Sequence, residues 1–185
     1  MRWLEVRRHS LTKKGPARGR GSHLSAQGVA LARAAGADLG PIAYVLASIS
    51  PRAVETAIAM GLAVDDAVEF PSGYVPGEVE FHEQWTWEQP YVRYAGLIAR
   101  CGGLAAIADA HRAIWTRVVE SVDDGEAALI VGHGGSLEPA LVACLPDADH
   151  RQWGGLLAHC DGARLGFADG RFVSLEFRRA PTSSQ

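Results

Sequence analysis

The chain has 185 residues, 48% of them hydrophobic and 21% charged, and a formal net charge of −3. That length supports one domain with a substantial core, and the charge excludes a general cationic field for nucleic acid or anionic membrane. The sequence also lacks the run of roughly 20 apolar residues that a membrane-spanning helix needs.

Leu4 and Val6 alternate with polar neighbours as in a short strand. "LSAQGVALARAAGADLG" then reads as a helix, with Ser25 as N-cap and Gly40 as its stop. "IAYVLAS" is a β-prone apolar run, after which Pro51 opens a helix reaching Met60. "AVEF" is a short strand candidate. From Pro71 to Pro90 the prolines, glycines and aromatics predict a long ordered excursion, and such loops are often functional. Helical periodicity returns over Tyr91–Arg100 and Leu104–Val122, "AALIV" reads as a buried strand, and "SLEPALVACL" as a helix. "ARLGF" and "RFVSLEF" flank Ala168-Asp169-Gly170, a hairpin signal. The alternation predicts an α/β fold: a three-layer α/β/α sandwich, its mostly parallel central sheet covered on both faces and extended by a C-terminal hairpin. Residues 1–178 are expected to form a single domain and 179–185 a flexible tail. The three cysteines, Cys101, Cys144 and Cys160, are odd in number and lack C-x-x-C spacing. That argues against a disulfide framework or a thiolate zinc site, and a soluble cytoplasmic protein is the expectation.

Ligands of open parallel sheets bind beyond the carboxyl ends of the strands. Here the first strand is followed by Arg8 and His9, the second by Ser48 and Arg52, and "AALIV" by Gly132, His133, Gly134 and Gly135. Two guanidiniums, two imidazoles and the backbone N–H groups of a glycine pair near a helix start suit a phosphate. Each fragment alone has an ordinary alternative: Arg8 and His9 as solvated surface, Arg52 as a partner of Glu55 or Glu5, and the glycines as a tight turn.

Together and in this order, "RHS", "SISPRAVETA" and "VGHGGS" resemble the signature of the histidine phosphatase superfamily, which includes phosphoglycerate-mutase-like enzymes. "LSAQGVALA" resembles the helix between the first two motifs, and the resemblance spans roughly residues 3 to 177. It implies that His9 attacks phosphorus and is transiently phosphorylated, with Arg8, Arg52 and His133 around the transferring group and neither metal nor cofactor required. Ser48 is expected to brace Arg52 or the turn. Ser10 replaces a glycine common in the family, and its hydroxyl could add a phosphate contact beside the Gly134 backbone. The family's acidic signature is not cleanly present. Candidates for the proton donor are Glu69, Glu78, Glu80 and Glu83, and Glu78 and Glu80 are favoured because they lie further into the excursion.

Other readings carry less. His82-Glu83 begins a zinc-protease motif, but Thr86 occupies the second histidine position. "HGGS" is not accompanied by a G-x-S-x-G elbow, which disfavours an α/β-hydrolase. His111 and His150 are expected at the surface or in packing, and His159, just before the hairpin, has a case for lining the pocket. From Arg7 to His23 there are six Lys or Arg and no acid, a solvated loop or a funnel for a phosphorylated substrate, with nucleic acid the less favoured partner. "WTWEQPYVRY" reads as an aromatic cover. The sequence thus points to a phosphohydrolase acting on a small phosphorylated substrate through a phosphohistidine. A phosphoglycerate-mutase-like phosphotransferase and a non-catalytic phosphate-binding protein are the alternatives.

Overall fold

The computed structural model describes residues 1–14 and 21–181. Arg18 and Arg20 of the basic segment, and residues 182–185 of the expected tail, lie outside the described residues. Four parallel strands, β1 (Arg2–Arg8), β2 (Tyr44–Ser48), β3 (Asp66–Val68) and β4 (Ala127–Gly132), form one sheet with the hairpin β5 (Gly162–Ala168) and β6 (Arg171–Arg178). The spatial order is β3-β2-β4-β1-β5-β6, and the hairpin runs antiparallel from β1 outward. Its turn places Asp169 and Gly170 at positive φ, the conformation two-residue hairpin loops demand.

The helices are α1 (Ala26–Gly36), α2 (Pro51–Ala59), α3 (Pro90–Ile98), α4 (Gly103–Glu120) and α5 (Leu137–Cys144). On one face of the sheet Leu4, Val6, Ile130 and Leu165 pack with Tyr91, Leu104, Trp115 and Leu141 of α3, α4 and α5. On the other, Val45, Leu129 and Val131 meet α1 and α2. Strand alternation sends Leu4 and Val6 to the first face and Glu5 and Arg7 to the second. The helices of that second face lie over β2 and β4. Beside the hairpin the same face carries an ion cluster, in which Glu5 meets Arg164 at 3.1 Å and Arg7 at 3.6 Å. Arg7 also donates to the carbonyls of Cys160 and Arg178, so the first cation after "LEV" is a packing residue.

The Ser25 hydroxyl caps α1 by accepting the Gly28 N–H. The helix stops at Gly36 rather than near Gly40, because Ala37 and Leu39 bond back to Ala34 and Gly36 and turn Leu39 into the core. Of the expected tail, Arg179 and Ala180 are held by the Asp161 carboxylate, at 2.8 Å each. Among the described residues no helix is long and apolar enough to cross a membrane.

Candidate active site

Strand register brings the three motifs together. Arg8 lies opposite Gly132, and Ala47 opposite Val131, so the residues that follow emerge side by side at the carboxyl ends of β1, β2 and β4. They open into a cavity of about 650 Å³, with Arg8, His9, Ser48, Arg52, His133 and Gly134 in its wall.

The His9 Nδ1 donates to the Ser10 carbonyl at 2.8 Å. A carbonyl only accepts, so Nδ1 holds the proton and Nε2 keeps its lone pair. Burial, chiefly, pushes His9 down to about 2; His133, Arg52 and Arg8 push the same way, and the Ser10 carbonyl opposes them. The ring is therefore neutral at ordinary pH, the form in which an imidazole can act as a nucleophile. The rings of His133 and His159 stand 5.3 and 5.5 Å from it. Burial and Arg8 lower His159 to about 4.

Arg52 Nη2 donates to His133 Nδ1 at 3.2 Å, which requires a lone pair there; the Nε2 proton of His133 then goes to Ser48 Oγ at 2.8 Å. Ser48 thus braces His133, and by accepting the Ser50 N–H it also braces the turn, the second of its two expected roles. Thr56 Oγ1 accepts the Ser10 N–H and donates to the Arg52 carbonyl, coupling the first two motifs through one hydroxyl. Arg8 donates to the Leu157 carbonyl at 2.7 Å and lies over the Trp85 ring at 4.7 Å. Beneath it, fully buried Glu138 accepts the N–H groups of Gly135 and Leu157, at 2.6 and 3.2 Å. One carboxylate ties the His133 turn to the segment whose carbonyl holds Arg8. Burial pushes Glu138 up, and the N–H donors and Arg8 pull against it.

No family sequence model matches the chain, and no curated protein matches it by sequence. Its structure, however, superposes on solved enzymes over nearly its whole length. The phosphoserine phosphatase of Entamoeba histolytica, bound to 3-phosphoglyceric acid, is 17% identical, with a TM-score of 0.68 over 99% of this chain and 98% of that one. A mycobacterial glucosyl-3-phosphoglycerate phosphatase is 19% identical, with a TM-score of 0.66 over 98% and 100%. The phosphoglycerate mutase of Bacillus anthracis is 18% identical, with a TM-score of 0.66 over 95% and 92%. The chain has the histidine phosphatase fold.

Within the histidine phosphatase fold, the residues between Phe70 and Pro90 form one wall of the cavity, and here the sequence-based expectations need correction. Glu78, favoured as proton donor, turns its carboxylate to the N–H groups of Gly103 and Leu104, at 2.7 and 3.0 Å. Gly102, the N-cap of α4, has no side chain to accept them, and a Cβ there would stand 2.5 Å from Glu78 Oε1. Glu78 is therefore the cap of α4, supplied from 25 residues upstream. Glu80, the other favoured acid, accepts the Gly77 N–H within its own turn. Neither lines the cavity, nor does Glu83; Glu69, the first residue after β3, does. The Ser10 hydroxyl donates to the Gly28 carbonyl and is fully buried, so it packs β1 against α1 rather than reaching the cavity. Of the glycine pair, Gly134 lines the cavity beside Arg8, while the Gly135 N–H is taken by Glu138.

Of the site's residues, Glu138 escapes a reading of the sequence alone, and Trp85 is legible only as part of an aromatic stretch. For Glu138 the available signal is an acid in an otherwise apolar helix. Trp85 is indistinguishable in sequence from its aromatic neighbour Trp87, which packs on Tyr94 instead.

The depressed His9 gives a stability prediction. An ordinary histidine titrates near 6.5, so below that pH the unfolded chain takes up a proton that the folded chain refuses down to about 2. Wild-type stability is lost through this window as pH falls, by at most about 1.4 kcal/mol per pH unit for this ring. Glu5 and Glu138, raised by burial, act in the opposite sense, so the informative quantity is a difference. In urea denaturation His9→Ala should gain stability relative to wild type between pH 6.5 and 5. Parallel pH curves for the two proteins would show that His9 titrates normally.

Proposed function

We propose that this protein is a metal-independent phosphohydrolase, a phosphoric monoester hydrolase of the histidine phosphatase type, with residues 1–178 as its catalytic domain. The observation that carries this reading is the His9 ring. Its proton is held on Nδ1 by a carbonyl and its Nε2 lone pair shares a cavity with two guanidiniums. The named enzymes of similar fold support it: two are phosphatases, of phosphoserine and of glucosyl-3-phosphoglycerate.

In this proposal Nε2 of His9 attacks phosphorus, the P–O ester bond breaks, and its electron pair leaves on the alcohol oxygen. Arg8, Arg52 and His133 stabilise the charge spread over the non-bridging oxygens. Glu69 donates the proton that the leaving oxygen needs. Water then attacks the phosphohistidine and gives Glu69 a proton, releasing inorganic phosphate and restoring the His9 lone pair. The substrate is a small phosphorylated molecule. The three cysteines are unpaired, which suits a reducing cytoplasm.

The test is a screen of phosphorylated metabolites in excess chelator, combined with rapid acid quenching to trap an acid-labile protein phosphate. Turnover and label should both persist in chelator, since guanidiniums occupy the place of a metal. Complete loss restored by zinc or magnesium, or label moving to an added acceptor instead of to water, would overturn the reading.

Arg52→Ala should lower kcat by about 10²–10³. Arg52→Lys should lose less, because lysine keeps the charge but not the fork that bonds two oxygens at once. Steady-state kinetics showing equal, mild effects would make Arg52 a structural partner of His133 only.

A further inference from the structure

Above the cationic floor the cavity changes character. Three of the six exposed large hydrophobic side chains among the described residues line this one cavity: Ile49 (54% exposed), Phe81 (72%) and Trp85 (41%). Scattered exposed hydrophobics are ordinary, but three converging on one concave surface mark a binding wall.

The wall is braced. Tyr74 and Phe81 rings stand 4.7 Å apart, and Phe81 and His82 3.9 Å apart. Gln84, fully buried behind them, donates to Tyr74 Oη at 3.2 Å. Trp85 donates its Nε1 proton to His82 Nδ1 while its face lies on Arg8. His82 itself has φ +66, a conformation that a residue with a Cβ rarely adopts, and it turns the chain so that Phe81 and Trp85 share the cavity. Flat side chains held in advance lose little entropy when a ligand packs on them.

The phosphoryl group belongs on the floor: among the described residues, Arg8 and Arg52 are the lysine or arginine side chains in the lining, and both lie beside His9 and His133.

We propose that the alcohol portion of the substrate carries an aromatic or similarly flat apolar group, seated against Ile49, Phe81 and Trp85. This substrate class rests on the phosphohydrolase reading above. It differs from the phosphoserine and phosphoglycerate compounds named for the enzymes of similar fold.

The test compares kcat/KM of the wild type for three primary alkyl esters: 3-phenylpropyl phosphate, propyl phosphate, and the propyl ester bearing a terminal carboxylate. The leaving alkoxides are similar, so the comparison reads the wall. Burying one phenyl ring should favour the phenylpropyl ester by about ten- to a hundredfold over both propyl and the carboxylate ester. In Phe81→Ala and Ile49→Ala the phenylpropyl-to-propyl ratio should collapse toward one. Equal rates for the first two esters, a preference for the carboxylate, or a ratio unchanged in both variants would overturn the proposal and leave the hydrolase reading standing. Failure to turn over any of the three, or p-nitrophenyl phosphate, would overturn both.

Discussion

Replacing His9 with alanine is expected to abolish turnover, by at least about 10⁴-fold, while leaving the protein folded. No neighbouring ring can take over the attack. Both nitrogens of His133 are committed, Nδ1 accepting from Arg52 and Nε2 donating to Ser48. His159 stands 5.5 Å from His9 and outside the cavity lining. The variant also removes the one side chain that could carry the phosphoryl group, so the acid-labile label seen on rapid quenching of wild type should be absent. Circular dichroism establishes that the variant is folded. Label persisting in His9→Ala, or turnover near the wild-type rate, would sink the assignment of the nucleophile. Loss of turnover with wild-type phosphate binding retained would confine His9 to chemistry rather than to holding the substrate.

What the sequence revealed about the site was whatever is written locally. Strands that end in Arg8-His9, in Ser48 and in Gly132-His133 are visible as apolar runs meeting polar residues, and parallel strands of one sheet must deliver those residues to one edge. The direction of individual side chains was legible only where strand alternation decides it. Arg7 and Arg8 are adjacent, yet one is fixed in an ion cluster with Glu5 and the other lies in the cavity. The excursion was less readable, because its partners are remote in sequence. Loop position alone points Glu78 over the cavity, whereas the structure engages it at the N-terminus of α4, where Gly102 offers no acceptor. The same applies to Ser10, whose hydroxyl finds a carbonyl in α1, and to Glu138, whose two N–H donors lie on different segments. A buried hydrogen bond between distant segments has no periodicity for a sequence to display.

When phosphoryl transfer to His9 breaks the ester bond, charge builds on the leaving oxygen, and an alkoxide needs a proton far more than a nitrophenolate does. Glu69 lines the cavity beside the floor of cations, so Glu69→Gln should slow alkyl phosphates by about 10²–10⁴-fold and p-nitrophenyl phosphate much less. Glutamine matches the shape but has no acidic proton to give, so the gap between the two substrates measures proton donation rather than packing. Glu80→Gln should open no such gap. Glu78→Ala should open none either, but it should lower thermal stability by about 1 kcal/mol, the usual loss when a helix N-terminus is left without its acceptor. Single-turnover rates on both substrates decide the matter. A gap at Glu78 or Glu80 and none at Glu69 would mean that the excursion rearranges over the bound substrate. A gap at no glutamate would mean that the leaving group departs without a proton, which confines the enzyme to esters of acidic alcohols or to phosphoramidates.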